Sequence, residues 1–195
     1  MGVYTMKGST PRGHDHRGVW PEMLETCVSA TGTIQSGARL VAPTFFGQPP
    51  LSNPFSPWEV AGVNARVDGW FVFLDSLPVC RFITIHPPMT LDCVNAVTGR
   101  DLKPSDALTI GRRTINQLRV FNFRHGLDPS LEVPSARYGS IPTDGPIKGK
   151  AVGPHFEWMK RFYFELSGWD PATGKPLPHT LKSLGLEKLI PDLET

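Results

Sequence analysis

From Trp58 to Ile85 the chain is apolar on nearly every side, and this segment constrains the fold more than any other. An ordinary surface helix buries one stripe, whereas a helix without a polar face has to be wrapped all round. Its start is written in Ser56-Pro57-Trp58-Glu59. Ser56 can cap, Pro57 suits the first helical position, where its missing N–H costs nothing, and Glu59 completes a capping box. The pattern predicts a helix running toward Leu74 or Leu77. Asp68 and Asp75 are the costly exceptions, because a buried carboxylate must find partners; an Arg or a neighbouring helix end is expected for each. Pro78 lacks a backbone N–H and disfavours the helical region for Leu77. Regular helix should therefore stop inside Asp75-Ser76-Leu77-Pro78-Val79-Cys80-Arg81, where an acid and a thiol stand close together in what reads as core. If helical, Asp75 and Cys80 would lie about 7 to 8 Å apart along the axis at ~1.5 Å per residue. That suits two neighbouring clients rather than one shared ligand.

Elsewhere the signals are again helical. Pro21 to Val28 reads as a short helix with Glu22 and Glu25 near its positive end. Thr90 is expected to cap a helix ending at Gly99, and Ser105 or Asp106 to open a longer one. In the latter, Leu108, Gly111, Ile115, Leu118 and Phe121 or Asn122 recur at three- and four-residue steps, and Gly126 stops it. His155 to Leu166 should turn Phe156, Met159, Phe162 or Tyr163, and Leu166 inward. Trp169 to Gly174 reads as a turn, and Pro178 to Leu184 as a last helix ended by Gly185. No alternating strand pattern and no repeat is visible. The 20 prolines and 19 glycines fall between these segments, so the predicted class is mainly α, with irregular helical domains joined by long Pro/Gly-rich loops. Residues 1–55 read as a loop-rich segment in which Phe45, Phe46 and Phe55 pin the chain, and 56–195 as a helical domain. Ser29 to Gly37 is small enough for close backbone approach.

The net charge of +2 gives no clustered basic footprint for nucleic acid. No run of about 18 apolar residues suggests a membrane span, and no secretory signal is read. Three scattered cysteines, Cys27, Cys80 and Cys93, make no disulfide framework and suit a reducing cytoplasmic setting. Cys27 and Cys93 are expected in the core. His14-Asp15-His16 has a metal-like spacing, but such loop histidines are usually solvated. Arg113, Asn116, Arg119, Asn122 and Arg124 form a polar set on one helix, either solvated and salt-bridged or used in packing.

Four stretches, in order, resemble the C-terminal part of the tungsten- or molybdenum-dependent aldehyde:ferredoxin oxidoreductases. They are Lys7-Gly8 with Asp15-x-Arg17-Gly18; Asp75 to Arg81, similar to the family's Asp-x-x-Gly-Leu-Cys; Ile110-Gly111-x-Arg113-x-x-Asn116-x-x-Arg119-x-Phe121-Asn122-x-Arg124-x-Gly126; and Gly168-Trp169-Asp170-x-x-Thr173-Gly174-x-Pro176 with Leu181 and Leu184-Gly185-Leu186. The resemblance implies the family's C-terminal helical domains and a metal held between two pterin dithiolenes beside a [4Fe-4S] cluster. It also implies oxidation of a small-molecule aldehyde to an acid, with electrons leaving to ferredoxin. Asp75 would then hold the polar edge of a pterin, since a carboxylate accepts strongly from ring and amino N–H groups. Cys80 would be a cluster ligand, and so a metal ligand. Pro78 and Val79 stand where the family has Gly-Leu. Gln35 stands at the position of a family histidine and is the candidate catalytic residue; unlike His, it cannot shuttle a proton near neutral pH. Clusters typically take four thiolates, so a missing N-terminal domain or separately encoded subunit is expected to supply the others. Two further readings stay open: a non-aldehyde branch resembling aryl-CoA reductases, and a non-catalytic partner-binding domain.

Overall fold

The long apolar segment does not form one helix. In the computed structural model, which describes residues 15–32, 35, 37, 43–83 and 86–193, it divides into α2 (Pro57–Val67) and α3 (Trp70–Asp75). Lys7, Gly8 and His14 lie outside the described residues. The break is at Asp68-Gly69, where Gly69 takes φ 107°, a conformation that costs glycine little. The same glycine meets Gly111 of α5 (Pro104–Arg124) at so close an approach that a Cβ on Gly111 would fall on the Gly69 carbonyl oxygen. The redirected α3 can thus lie along α5, while α2 packs on α6 (Gly153–Leu166).

The remaining helices are α1 (Trp20–Val28), α4 (Pro87–Thr98) and α7 (Pro178–Ser183). Ser56 caps α2 as expected, its Oγ accepting from the Glu59 N–H. Glu59 does not close the box; its carboxylate accepts from Ser52 and the Asn53 N–H instead. The cap of α4 is His86, whose Nδ1 accepts from the Met89 N–H, and Thr90 lies one turn inside. Pro87 at the first position explains the earlier start. Similarly, α5 begins at Pro104, with Asp106 reaching back to the Lys103 N–H. Gly99, Gly126, Gly168 and Gly185 follow helix ends with positive φ. Among the described residues there is no strand, only an isolated bridge between Trp169 and Pro176.

The main core joins Met23, Leu24 and Cys27 of α1, Val60, Ala61 and Ala65 of α2, Ile115 of α5, and Phe156, Met159 and Tyr163 of α6. Side chains such as Leu24 and Met159, with no exposure, each contribute roughly 1.5–3 kcal/mol by leaving water. Residues on both sides of position 55 therefore share one core. A second core packs Trp70, Phe71, Phe73 and Leu74 against Leu91, Ala107 and Leu108. Phe45 and Phe46 lean on Trp70, and Phe55 on Trp20, as the aromatic loop predicts.

Three expectations about facing are corrected. Phe121 and Leu166 are exposed, because each lies on the outer side of its helix while its neighbours Arg119 and Val120, and Tyr163 and Phe164, take the covered side. Cys93 is exposed on the outer face of α4. His16 is fully buried rather than solvated, its ring edge-on to Tyr138 and 3.7 Å from Glu22. The polar set on α5 divides: Arg124 is exposed and ion-paired with Asp192 at 3.4 Å, while the other four are used for packing. Arg113 donates to the Leu184 carbonyl, Asn116 accepts from the Trp169 indole, and Asn122 donates to the Ala30 carbonyl. Arg119 has no exposure; it forks onto the equally buried Glu132 at 2.5 and 2.8 Å.

Candidate functional site

The Asp75–Arg81 stretch is built by the end of α3. The helix stops at Ser76, whose N–H donates to the Val72 and Phe73 carbonyls and whose Oγ donates to Val72. Leu77 makes one more turn-like bond to Leu74. After Pro78 a short 3-10 turn, Arg81–Ile83, begins with the Ile83 N–H on the Cys80 carbonyl. The backbone thus leaves regular helix where Pro78 predicts.

Burial is where the structure departs from the expectation: Asp75 and Cys80 are both exposed. The reason lies in α3. Trp70, Phe71, Phe73 and Leu74 take every inward position of a six-residue helix, and this turns Asp75 outward. Asp75 is held by Arg81, whose Nε donates to Oδ1 at 2.9 Å and whose Nη2 meets Oδ2. The guanidinium also lies 4.6 Å over the Phe71 ring. Acid, cation and free thiol therefore form one exposed edge. Beside it runs an apolar groove of about 400 Å³ lined by Leu77, Pro78, Val79, Ile83, Met89 and Cys93, among others. Ile83 and Met89 stay 68% and 53% exposed there.

Gln35 is not part of that edge. It is buried, and its Nε2 donates to both oxygens of Asp68 at 3.2 and 3.3 Å. Its backbone N–H donates to Glu25 Oε2, which also accepts from Gly37. Gly37 is needed in this loop: its φ is 69°, and a Cβ would stand 2.5 Å from the Phe71 ring. Tyr163 donates its hydroxyl to Asp68 Oδ2 at 2.6 Å. Sequence reasoning singles out Asp68 and Gln35 separately but misses their meeting, as well as the phenol that joins them. Burial pushes the Asp68 carboxyl above its ordinary 3.8 despite the Tyr163, Arg112 and Gln35 partners that favour its anion. Burial, and then the Asp68 charge, push the Tyr163 phenol well above 10.

The consequence for stability can be signed. The folded state binds the Asp68 proton more tightly than the unfolded chain does. Its contribution is complete below about pH 3.8 and is lost as pH rises through the folded value. Asp68→Asn cannot titrate. The difference in unfolding free energy between wild type and Asp68→Asn is therefore expected to shrink as pH rises from about 4 toward neutrality. Urea titrations across that range would show it; a constant or growing difference would contradict it.

Among the described residues no three His, Cys, Asp or Glu side chains gather as a metal site. Cys27 is buried, while Cys80 and Cys93 are exposed. A four-thiolate cluster cannot be completed from three cysteines. Among the described residues no helix is long and apolar enough to cross a membrane.

The fold and this edge define a mainly helical domain with an acid–thiol rim next to an open apolar face. The sequence model described as "Aldehyde ferredoxin oxidoreductase, domains 2 & 3" matches residues 2–186, and the chain belongs to this family. It is 28% identical over 185 residues to the tungsten-containing aldehyde ferredoxin oxidoreductase of Pyrococcus abyssi, covering 91% of this chain and 30% of that protein. To the same-named protein of Pyrococcus horikoshii it is 30% identical over 183 residues, with the same coverage. To that of Pyrococcus furiosus it is 27% identical over 190 residues, covering 93% of this chain and 30% of the relative. The chain thus spans about 30% of the length of these relatives.

Proposed function

We propose that the chain supplies the C-terminal portion of a tungsten- or molybdenum-pterin oxidoreductase that converts an aldehyde to a carboxylic acid. Electrons would leave through a [4Fe-4S] cluster to ferredoxin or a similar carrier. The observation that carries this reading is the exposed rim, where Asp75 and Cys80 stand outside the core with the thiol free. Both are exposed within one six-residue stretch, where another polypeptide or a cofactor can reach them. In this reading Asp75 accepts from pterin N–H groups and Cys80 is one thiolate of the cluster. Arg81 pairs with both carboxylate oxygens of Asp75, which fixes how the carboxylate is oriented. The bound metal and pterins would supply the two-electron oxidation, and the remaining cluster ligands would come from a domain or subunit beyond this chain.

Gln35 favours a second reading. Its amide is engaged with Asp68 inside the protein, and an amide cannot shuttle a proton near neutral pH. This supports a branch acting on something other than a simple aldehyde, such as an aryl-CoA reductase-like enzyme, or a non-catalytic partner-binding role.

The test uses the chain assembled with the polypeptide that carries the other cluster ligands. Cys80→Ser is expected to lower bound iron while the fold of this domain persists, because Cys80 is exposed and the change is small. Asp75→Asn is expected to lower bound tungsten or molybdenum while leaving iron largely in place. Iron unchanged by Cys80→Ser would remove the ligand role.

A further inference from the structure

A second, separate recess lies between the end of α2, α5, the end of α6 and α7, with a volume of about 150 Å³. Its wall includes Asp68, Arg112, Asn116, Ser167, Thr180 and Ser183. Water needs only roughly 10–15 Å³ of such space, and an engineered cavity of about 150 Å³ takes a benzene-sized guest.

The polar groups are not equally committed. Asn116 gives its Nδ2 to the Arg112 carbonyl and its Oδ1 to Trp169, and Thr180 and Ser183 donate to backbone carbonyls. Two groups remain. Ser167 Oγ is buried and makes no hydrogen bond of ordinary length, although it lies close enough to the Tyr163 hydroxyl to favour the phenolate. Arg112 donates through Nη2 to the Ala65 and Arg66 carbonyls, which fixes the guanidinium at the C-terminal end of α2. Among the described residues the ion pairs do not include Arg112. A permanent cation thus stands on the wall of a recess without a direct counter-ion. Asp68 attracts it from across the space, but its oxygens already accept from Tyr163 and Gln35.

We infer that this recess binds a small monocarboxylate of roughly acetate size, its oxygens taken by the free guanidinium N–H groups of Arg112 and the Ser167 hydroxyl. A planar guanidinium matches a carboxylate in charge and geometry, and Ile115, Leu166 and Leu184 give the short carbon end an apolar wall. The groups facing Asp68 are Tyr163 and Gln35, with Glu25 behind Gln35 and Arg112 across the recess. The balance raises its proton affinity, so at low pH Asp68 adds no opposing charge and can donate to the guest. Acetate should therefore bind more tightly on acidification.

The probe is sodium acetate titrated into the full chain by calorimetry at constant ionic strength. One-to-one binding is expected, weakening as pH rises, while Asp68→Asn removes that dependence. Arg112→Gln should weaken binding about tenfold or more, equivalent to ~1.4 kcal/mol, and Arg112→Lys less. Since Arg112 also braces α2, Ser183→Trp provides a second variant. Ser183 is exposed beside the recess, and an indole there should block acetate without lowering Tm. No acetate binding, equal binding of acetamide or guanidinium, or binding indifferent to Ser183→Trp would overturn the assignment and leave a water-filled recess.

Discussion

Gly111→Ala is expected to destabilise the chain by about 3 kcal/mol or more, near the upper end for overpacking. The added Cβ would meet the Gly69 carbonyl oxygen, which is backbone and cannot rotate away. Gly69 is itself locked, since at φ 107° its own Cβ position lies 2.7 Å from the Leu108 carbonyl oxygen. The α3–α5 contact would have to open, and with it the packing of Trp70, Leu74 and Leu108. At roughly 2–4 °C per kcal/mol for a chain of this size, Tm should fall by about 6–12 °C. Gly62→Ala is the control. Gly62 is helical, and an added Cβ meets only the tip of Arg66 at 3.6 Å, so a gain of up to about 1 kcal/mol is expected. Equal effects at the two positions would contradict the close-crossing account.

Glu132→Gln should cost a similar or greater amount, about 3–5 kcal/mol. The substitution keeps the shape but leaves the Arg119 charge without its anion where neither side chain has any exposure. Two carbonyls, of Gly174 and Val28, and the rings of Phe123, Phe164 and Trp169 would still surround the guanidinium. None carries a compensating charge. Arg119→Met with Glu132→Leu removes both charges and should recover much of the loss, because an apolar pair avoids the desolvation cost of the ions. Denaturant unfolding of the three proteins would decide the matter. A double variant no better than Glu132→Gln would show that packing, rather than the orphaned charge, sets the cost.

These two sites mark where the sequence could and could not be read. Local punctuation was legible: Ser56-Pro57, Gly99, Gly168 and Gly185 sit at helix boundaries because capping involves residues only a few positions apart. The Pro78 stop was legible for the same reason. The break at Asp68-Gly69 was not, because it depends on Gly111, more than forty residues on. Arg119 read as either a solvated or a packing residue, and only Glu132 and Gly174 decide between them. The rim followed the same rule. Its residues and its irregular backbone were visible, but its exposure was not, since that depends on which side of α3 the aromatics choose. Gln35 and Asp68 each carried a signal, while their junction required Tyr163 from another helix.

The central claim is that Asp75 and Cys80 are part of a metal–pterin and cluster site completed by other sequence. The most direct measurement is the metal content of the chain purified with the polypeptide that carries the other cluster ligands. The account predicts about four irons per assembled unit, tungsten or molybdenum above background, and loss of iron on Cys80→Ser. A stable, folded assembly with iron, tungsten and molybdenum all at background would contradict it.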